Sequence, residues 1–529
     1  MSTAAKTYIG LSVGNHNSVI AIINKDHRAE VIANEDGEHK TPTYLAFSGD
    51  EEYHGSQAKH QIVRNAQNTV AGFRDILGKA YTASMAEQHA GFAAIEASED
   101  GGAVFVIGDL RLSAHDATVR YLARLRTTAE DYLGRKIDGA VLAVPVWFTG
   151  EQRASISAAC ADAGLPLLQL VTEPAAAALQ YGLGRESSGD SVAVVVDVGG
   201  TGSDVSLVAA TGGLVAVVAS AHTTAVSGEV IDDVLVRHFA AEFTRAHGVD
   251  VMGNARAVRK LRQAVEGTKR TLSSATSAPC AVESLAEGID FNSSVNRTRF
   301  DILCQRTYAP LLETIEKVVK DAGYELAQVD QVLLCGGAAR VRRLQARVAS
   351  LFPEETEIRD DAAEELDEVI AAGCAEQAAL IAQGGADAQA AADLKADVLA
   401  HVVGLQISAD HLAPVLRKDT PLPAARSVSV ALPKGETRAY IAVSEGEAVP
   451  PKPVADEDDE EEVEEEEEEA AAAPLYRPTR LLAEMVLELD AADESTRVEV
   501  TFFVGSDKKL TVTASEPVSG KTITAVIPQ

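Results

Sequence analysis

Apolar and polar positions follow the same order near the N-terminus and near residue 200 of the chain. Tyr8–Val13 and Val19–Ile23 are apolar runs on either side of the polar segment Gly14-Asn15-His16-Asn17. Ser191–Val196 and Val205–Ala209 flank a second, glycine-rich segment in the same way. Short apolar runs around such segments predict a strand, a tight turn and a returning strand. Because the arrangement occurs twice, it indicates an internal duplication.

Segments with helical character lie between and after the two hairpins. They are Gln152–Ala163, Glu173–Tyr181 and Ala257–Leu272. Residues up to about 390 are therefore predicted to form two α/β lobes. A cleft between two lobes is a common place for a small ligand, so we expect a binding site there.

The pattern changes near Asp397, beyond which the chain is rich in predicted strands. These strands are Val428–Leu432, Met485–Leu489, Val498–Val504, Leu510–Ala514 and Thr522–Ile527. They predict a small β domain. An acidic run, Asp456–Glu469, is broken only by Val463 and interrupts this domain. Dense carboxylates repel one another and bury no apolar surface, so we expect a disordered insertion at about 450–480.

Composition and charge exclude several classes of function. The 529 residues exceed the usual size of one domain, about 100–200 residues. The formal net charge of −32 opposes phosphate neutralisation, so direct nucleic-acid binding is not expected. No apolar stretch approaches the ~20 residues of a membrane span, so we expect no membrane insertion. Five scattered cysteines without CxxC spacing predict reduced thiols and a cytoplasmic location.

Two glycine motifs have the composition of nucleotide-binding loops. Asp197-Val198-Gly199-Gly200 lies between the strands of the second hairpin. Glycines let backbone N–H groups approach an oxyanion, and a nearby carboxylate can hold Mg²⁺ through water. Leu333–Arg340 is a strand that runs into Gly336-Gly337 and then a helix. Each motif alone is a weak signal, because an ordinary tight turn contains the same residues.

A polar stripe follows one face of the predicted helix Ala257–Leu272. Its members share helical spacing, and they are Glu266, Lys269, Arg270 and Ser273. Taken alone, such a stripe is more typical of a solvated surface than of a binding face.

Seven further blocks, in order along the chain, resemble the 70-kDa heat-shock chaperone family. The blocks are Ile32–Gly37 with Thr41–Phe47, Asn65–Val70, Ala143–Phe148, Glu173–Ala177, Lys269–Ser274, Glu287–Phe291 and Asp367–Gly373. The resemblance implies an actin-like ATP-binding domain at 1–395 and a linker at 396–408. It also implies a truncated β-sandwich, similar to a peptide-binding domain, at 409–529. In that family a helical lid covers the β-sandwich, and we expect this chain to lack the lid.

The resemblance also implies the residues of an ATP and Mg²⁺ site. The adenosine side would be formed by Glu266, Lys269, Arg270, Ser273, Gly336, Gly337 and Arg340, closed by Asp367. The phosphate and metal side would be formed by Gly14, Arg74, Glu173, Asp197, Gly199, Gly200, Asp204, Gly228 and Glu229. Asp197 would reach the metal through water. Ala338 stands where the family has a serine.

Departures from the family concentrate where catalysis is expected. The family's Asp-Leu-Gly-Thr-Thr hairpin is Ser12-Val13-Gly14-Asn15-His16 here, and Arg74 replaces the catalytic lysine. Thr201-Gly202 inverts the Gly-Thr of the second hairpin. The apolar linker of the family has become Asp397–His401. Phosphoryl transfer depends on positioning and charge stabilisation, so we assign no catalytic residue and expect negligible hydrolysis.

These departures resemble the atypical member of the family in the fungal ribosome-associated complex. That member pairs stably with zuotin, a J-domain protein, and the pair stimulates a ribosome-bound 70-kDa chaperone that handles nascent chains. The resemblance implies a scaffold and regulator that binds ATP and is associated with ribosomes in the cytoplasm. We further expect strands such as Val498–Val504 to present uncovered faces or unpaired edges, which the J-domain partner would complete by strand addition. Two alternatives stay open: an active ATP-driven chaperone that binds clients, and an actin-fold small-molecule kinase.

Overall fold

The computed structural model describes most of the chain and divides it into two compact units. The units are Met1–Ala392 and Asp393–Gln529. The described residues are 6–89, 91–99, 101–183, 191–211, 214–360, 365–383, 399, 401–408, 411–416, 420, 424–432, 434–448, 476–489, 496–505, 509–517 and 519–527. The acidic run Asp456–Glu469, for which we predicted disorder, lies outside them, as does most of Asp397–His401.

The N-terminal unit alternates strands and helices along the chain. Its strands are β1 (Tyr8–Val13), β2 (Asn17–Ile23), β3 (Ala29–Val31), β4 (Lys40–Pro42), β5 (Tyr44–Ser48), β6 (Glu51–His54), β7 (Thr69–Ala71), β8 (Ala94–Ala97), β9 (Ala103–Ile107), β10 (Leu110–Ser113), β11 (Gly139–Val144), β12 (Leu167–Thr172), β13 (Ser191–Val198), β14 (Ser203–Thr211), β15 (Leu214–Thr223), β16 (Ser277–Ala286), β17 (Ile289–Asn296), β18 (Gln331–Cys335) and β19 (Glu357–Arg359). Its helices are α1 (Gly55–Asn65), α2 (Phe73–Ile76), α3 (Ala83–Gln88), α4 (Ala114–Leu133), α5 (Gly150–Asp162), α6 (Glu173–Gln180), α7 (Gly228–His247), α8 (Ala255–Ser274), α9 (Arg297–Cys304), α10 (Ala309–Asp321), α11 (Arg342–Ala349) and α12 (Val369–Gln383). The three helices predicted from periodicity are confirmed as α5, α6 and α8.

The duplication predicted from the two hairpins is confirmed by sheet topology. The first large sheet has the order β12-β11-β1-β2-β3, and the second has the order β19-β18-β13-β14-β15. In both, the first strand of the hairpin pairs antiparallel with its return strand and parallel with its other neighbour. The two hairpins therefore occupy equivalent places in the two halves of the unit.

Local sequence explains where the helices that flank the site begin. The Ser227 side chain accepts a hydrogen bond from the Val230 N–H at the start of α7, and Asn254 accepts two at the start of α8. Such caps satisfy N–H groups that have no partner within the helix. Leu261, Val265 and Leu272 of α8 lie in the core of the second half, so the opposite face of this helix carries its polar side chains.

Helices α6 and α12 bring the two sheets together through a core of small residues. Ala176 and Ala177 of α6 and Cys374 of α12 pack with residues of both sheets, among them Val141 and Val195. All five cysteines of the chain are buried and free, which agrees with the prediction of reduced thiols. Among the described residues, no helix is long and apolar enough to cross a membrane.

The C-terminal unit is built from strands in its described part, as predicted. They are β20 (Val402–Gln406), β21 (Leu412–Leu416), β22 (Ala424–Ala431), β23 (Arg438–Ala448), β24 (Tyr476–Glu488), β25 (Arg497–Val504), β26 (Leu510–Ser515) and β27 (Thr522–Ile527). Four form a closed barrel, β20-β21-β24-β23, and four form a sheet, β22-β25-β26-β27. One apolar core joins them. The described residues of this unit contain no helix, so no lid is present among them.

Three expectations about this unit need correction or adjustment. Val498–Val504 was expected to expose an edge, but β25 pairs with β22 on one side and β26 on the other. Val498, Val500, Phe502 and Val504 are buried because strand alternation turns them all to the core. The predicted insertion at 450–480 overlaps β24, which begins at Tyr476. The predicted linker 396–408 contains β20, which pairs with β21 and β23.

The contact between α12 and α6 generates a stability prediction. A Cβ placed on Gly373 would lie 1.9 Å from the backbone oxygen of Ala176, whereas one placed on Gly267 of α8 would meet nothing within 4 Å. Both glycines lie inside helices, so both gain the same intrinsic helix propensity from alanine. We expect Gly373→Ala to lower the free energy of unfolding by about 1–3 kcal/mol through overpacking. Gly267→Ala, the matched control, should raise it by about 0.5–1 kcal/mol. Equal effects in chemical denaturation would contradict the close packing.

Candidate functional site

A cleft of about 350 Å³ opens in the N-terminal unit between the two hairpins. Every residue for which the sequence predicted a nucleotide or metal contact lines this one cleft. They are Gly14, Arg74, Glu173, Asp197, Gly199, Gly200, Asp204, Gly228, Glu229, Glu266, Lys269, Arg270, Ser273, Gly336, Gly337, Arg340 and Asp367. The structure brings them together, and their functional roles stay predictions.

The first hairpin presents its turn to the cleft. The Gly14 N–H donates to the Asn17 carbonyl over 3.1 Å and closes the turn between β1 and β2. Asn15 donates through its side chain to the Asp75 carboxylate and, over 3.4 Å, to the Thr201 hydroxyl of the second hairpin. The turns of the two hairpins are therefore in direct contact through the side chains of Asn15 and Thr201.

The second hairpin and the start of α7 form a glycine cradle. Asp197 lies directly opposite Asp204, and the Gly199 N–H donates to the Gly202 carbonyl over 2.9 Å. The N–H groups of Gly228 and Glu229 donate over 2.9 Å to the carbonyls of Gly199 and Gly200. A Cβ on Gly200 would lie 2.5 Å from the His16 Cβ, and one on Gly228 would lie 3.3 Å from the Lys269 nitrogen. Glycine is needed here because two loops and a helix end approach closely.

Arg74 is held in the cleft by three hydrogen bonds. Its Nη1 donates to the Val13 carbonyl and to Glu173, each over 3.1 Å, and its Nε donates to Asp75 over 2.9 Å. Burial alone would lower the pKa of Arg74, but the charges of Asp75 and Glu173 outweigh burial and raise it. The guanidinium is therefore charged at every accessible pH and already engaged with protein groups.

Carboxyl groups gather next to Arg74, and two of them, Glu173 and Asp197, have raised pKa values. Burial raises the pKa of Glu173 to about 8, with the charge of Arg74 opposing and that of Asp204 adding to the shift. Burial, followed by the charge of Asp204, raises the pKa of Asp197 to about 7. Asp204 accepts hydrogen bonds of 3.0 Å from the Trp147 indole and from His222. A bound cation would favour the ionised form of these carboxyl groups and so lower their pKa values.

The polar stripe of α8 faces the cleft, so its interpretation as solvated surface is wrong for most of its length. Glu266 and Lys269 expose 18% and 14% of their side chains, although Arg270 exposes 65%. Lys59 donates to both oxygens of Glu266 over 2.8 and 2.9 Å. Lys269 donates over 2.8 Å to Asp232 and over 2.9 Å to the Gly228 carbonyl.

The far end of the cleft is closed by charged side chains around Asp367. The Arg340 guanidinium donates to Asp367 over 2.5 Å and also pairs with Glu365. Lys40, from the other half of the unit, pairs with both carboxylates, at 3.2 Å from Glu365. A Cβ on Gly337 would lie 3.5 Å from an oxygen of Asp367, so the glycine leaves the cleft open at this point.

Several residues of the cleft were missed by the sequence reasoning. They are Lys40, Asp75, His222 and Asp232, together with Lys59 and Trp147 at its margin. Asp232 lies three residues after Glu229 on α7, so helical spacing provided a signal for it. Asp75 directly follows Arg74 on α2, so it too could have been found from the sequence. Lys40, Lys59, Trp147 and His222 come from separate parts of the chain, and only the folded chain brings them near the hairpins.

The donor set fits a nucleotide whose metal is held mainly by phosphates and water. Among the described residues, no group of three or more His, Cys, Asp or Glu side chains is arranged to hold a metal ion directly. Asp197 and Asp204 nevertheless lie beside the glycine cradle, where they can accept hydrogen bonds from metal-bound water. The positive end of the α7 dipole at the same place favours an anion, although the N–H groups of Gly228 and Glu229 already donate to the carbonyls of Gly199 and Gly200.

The raised pKa values generate a prediction for the nucleotide-free and metal-free protein. Asp197 binds a proton more tightly in the folded than in the unfolded chain, since its pKa rises from 3.8 to about 7. The protonated form of Asp197 therefore leaves the free energy of unfolding undiminished below pH 3.8, and ionisation lowers that free energy as the pH rises through 7. We expect Asp197→Asn to raise the melting temperature at pH 8 and to have little effect at pH 4. Asp131→Asn, at an exposed position on α4, is the control; a gain that does not depend on pH would contradict the clustering of charge.

Comparison with known sequences identifies the relatives of the chain. The sequence model of the Hsp70 protein family matches residues 8–454. A heat shock protein 70 homolog of Schizosaccharomyces pombe is 38% identical over 98% of this chain and 94% of its own length. The ribosome-associated complex subunit SSZ1 of Saccharomyces cerevisiae is 34% identical over 97% of this chain and 98% of its own length. The heat shock 70 kDa protein 2 of Paracoccidioides lutzii is 33% identical over 83% of this chain and 67% of its own length.

Proposed function

The chain belongs to the Hsp70 family of chaperones, and from that premise we propose that it is an ATP-binding member that hydrolyses ATP poorly or not at all. ATP with Mg²⁺ would serve as a structural ligand of the N-terminal unit. The kinase alternative loses its support, because the family match extends beyond the lobes into the β unit.

Binding is supported by the glycine cradle and the α8 stripe. The cradle at Gly199, Gly200 and Gly228 offers close backbone approach, and Asp197 stands beside it. Lys269, Arg270 and Arg340 are cations that line the ligand space from the second half of the unit. These features require no catalytic side chain, so binding can persist where hydrolysis is lost.

The observation that carries the proposal is the engagement of Arg74. Its Nε and Nη1 donate to Asp75, Glu173 and Val13, so a γ-phosphate would have to compete with these partners. Its planar fork also differs in geometry from the compact ammonium of a lysine. Ser12 supplies no charge where the family has an aspartate. Mg²⁺, when bound, would neutralise phosphate charge. Each missing stabilising contact from the protein lowers the rate of phosphoryl transfer by about 10²–10³.

The cellular role is proposed from the likeness to SSZ1. That relative is a subunit of the ribosome-associated complex and aligns over nearly the full length of both chains. We place this chain in an equivalent complex: a stable heterodimer with a zuotin-type J-domain protein in the cytoplasm. The heterodimer would stimulate a ribosome-bound 70-kDa chaperone and so reach the ribosome and nascent chains indirectly.

Strand addition to the β unit would anchor the partner. Among the described strands, β22 and β27 are the edges of the four-stranded sheet. Val526 on β27 is 60% exposed, so an apolar segment of a partner could pair with this edge and cover the side chain. The site of addition is thus moved from Val498–Val504 to an edge strand.

Nucleotide binding is tested by the melting temperature of the protein with ATP and Mg²⁺. A ligand present at about 100 times its Kd stabilises the native state by about 2.7 kcal/mol, so the melting temperature should rise by several degrees. Arg340→Ala and Gly337→Asp should reduce the rise, the second because it places a carboxylate beside Asp367. Arg343→Ala, at an exposed position outside the cleft, should not. Absence of both a thermal shift and a calorimetric signal would remove the claim.

Hydrolysis is tested by single-turnover measurement with and without a J-domain protein. We expect no turnover above background, because Ser12, Asn15, His16 and Arg74 replace the family's catalytic set. Ser12→Asp combined with Arg74→Lys should recover part of the activity. Turnover comparable to that of an ordinary family member would instead favour the active-chaperone alternative.

The anchoring of the partner is tested by truncating the chain after Lys395. If the β unit holds the J-domain protein, the truncated chain should lose most of the lifetime of the heterodimer. Val526→Asp in the full chain should shorten that lifetime, whereas Val218→Asp, at an exposed position in β15, should not. Capture of the partner with undiminished lifetime by the truncated chain would show that the N-terminal unit is the anchor.

A further inference from the structure

His16, at the tip of the first hairpin, reaches across the cleft to the second half of the unit. Its Nδ1 lies 3.8 Å from Glu229 of α7, and its Nε2 lies 3.6 Å from Glu266 of α8. The Tyr44 hydroxyl of β5 lies 3.4 Å from Nδ1, and 19% of the His16 side chain is exposed. One imidazole therefore faces a carboxylate with each of its two nitrogens.

The chemistry of imidazole makes this arrangement depend on protonation. A neutral imidazole donates from one nitrogen and accepts at the other, whereas the charged form donates from both. Carboxylates such as Glu229 and Glu266 only accept hydrogen bonds when ionised. A neutral His16 would thus turn a lone pair toward one carboxylate, and only the charged form suits both.

The contacts of His16 cross from the first half of the N-terminal unit to the second. His16 and Lys59 both belong to the first half of the unit and both approach Glu266 of the second half. The backbone of the second hairpin is close as well, because a Cβ on Gly200 would lie 2.5 Å from the His16 Cβ. Cations of one half and carboxylates of the other therefore face each other at the mouth of the cleft.

We propose that protonated His16 is a positioning residue that latches the two halves of the N-terminal unit together, so that closure of the cleft depends on pH. The latch acts in the nucleotide-free protein. Its consequence for nucleotide retention, slower release when the latch is charged, rests on the proposed nucleotide site.

The surrounding charges set the direction of the pH dependence. Glu229 and Asp232 face His16 from α7, Glu266 and Lys269 lie on α8, and Lys59 and Tyr44 lie on the side of the first half. Burial alone would lower the pKa of His16, but the nearby carboxylates of Glu229 and Glu266 outweigh burial and raise it above 6.5. The latch is then fully present below pH 6.5 and is lost as the pH rises through the raised value.

The test measures the distance between the two halves in the full chain without nucleotide. Spin labels at Gln57→Cys on α1 and Ala281→Cys on β16 report that distance, since both positions are exposed and the native cysteines are buried. In the labelled protein that keeps His16, raising the pH from about 6 to about 9 should change the distance between the labels from a single short value to a mixture that contains longer values. If only the protonated form latches, the latched fraction falls about tenfold for each pH unit above the pKa.

Three variants make the proposal falsifiable. His16→Gln should give the longer distances at every pH, and His16→Arg, which stays charged, should keep the short distance at every pH. His115→Gln is the matched control, because His115 pairs with Asp162 at 2.9 Å away from the cleft, and it should behave as the wild type. A distance that does not change with pH in the wild type, or is the same in His16→Gln, would overturn the proposal. Failure of ATP to bind would leave this result unchanged, so the two proposals can fail separately.

Discussion

The close approach of helices α6 and α12 is the constraint on which the rest of the N-terminal unit depends. Gly373 of α12 lies against the Ala176 backbone, and Gly10 of β1 lies against the Ala371 backbone of the same helix. Any side chain at either glycine would push the helix away from the sheet or from its neighbour. Because the two duplicated sheets pack on these helices, their separation sets how near the two hairpin turns come to each other.

Charge in the cleft follows from that geometry. Bringing the hairpins together places Glu173, Asp197 and Asp204 close to one another, with Arg74 bonded to Glu173 and His222 bonded to Asp204. Burial and mutual repulsion oppose full ionisation of these carboxyl groups, and they raise the pKa of Glu173 to about 8 and that of Asp197 to about 7. The fold therefore holds a site that favours cations and a glycine cradle that favours anions side by side, which is the combination a metal-bound polyphosphate requires.

The sequence predicted the features that are local or repeated. Hairpins, helices and the duplication follow from apolar periodicity, and they are confirmed by the order of strands in the two sheets. Predictions failed where long-range pairing decides the outcome. Val498–Val504 has the pattern of any half-buried strand, and only its pairing with both β22 and β26 shows that it is central. Lys40 and Lys59 were missed for the same reason, since their partners Asp367 and Glu266 are more than two hundred residues away.

The proposed retention of ATP binding and the proposed loss of hydrolysis depend on different parts of the chain. The cradle depends on backbone and on glycines, whose replacement would clash with His16, Lys269 or a neighbouring carbonyl and so disturb the packing. Catalytic groups are side-chain ends that can change without moving the backbone. Ser12 keeps its place in β1, paired with Ala143 and Val19, although it carries no charge. Arg74 is held by a hydrogen bond to β1 and by ion pairs with α2 and α6. Changes at these side-chain ends can therefore leave the cradle intact, so the proposed loss of hydrolysis does not require a loss of binding.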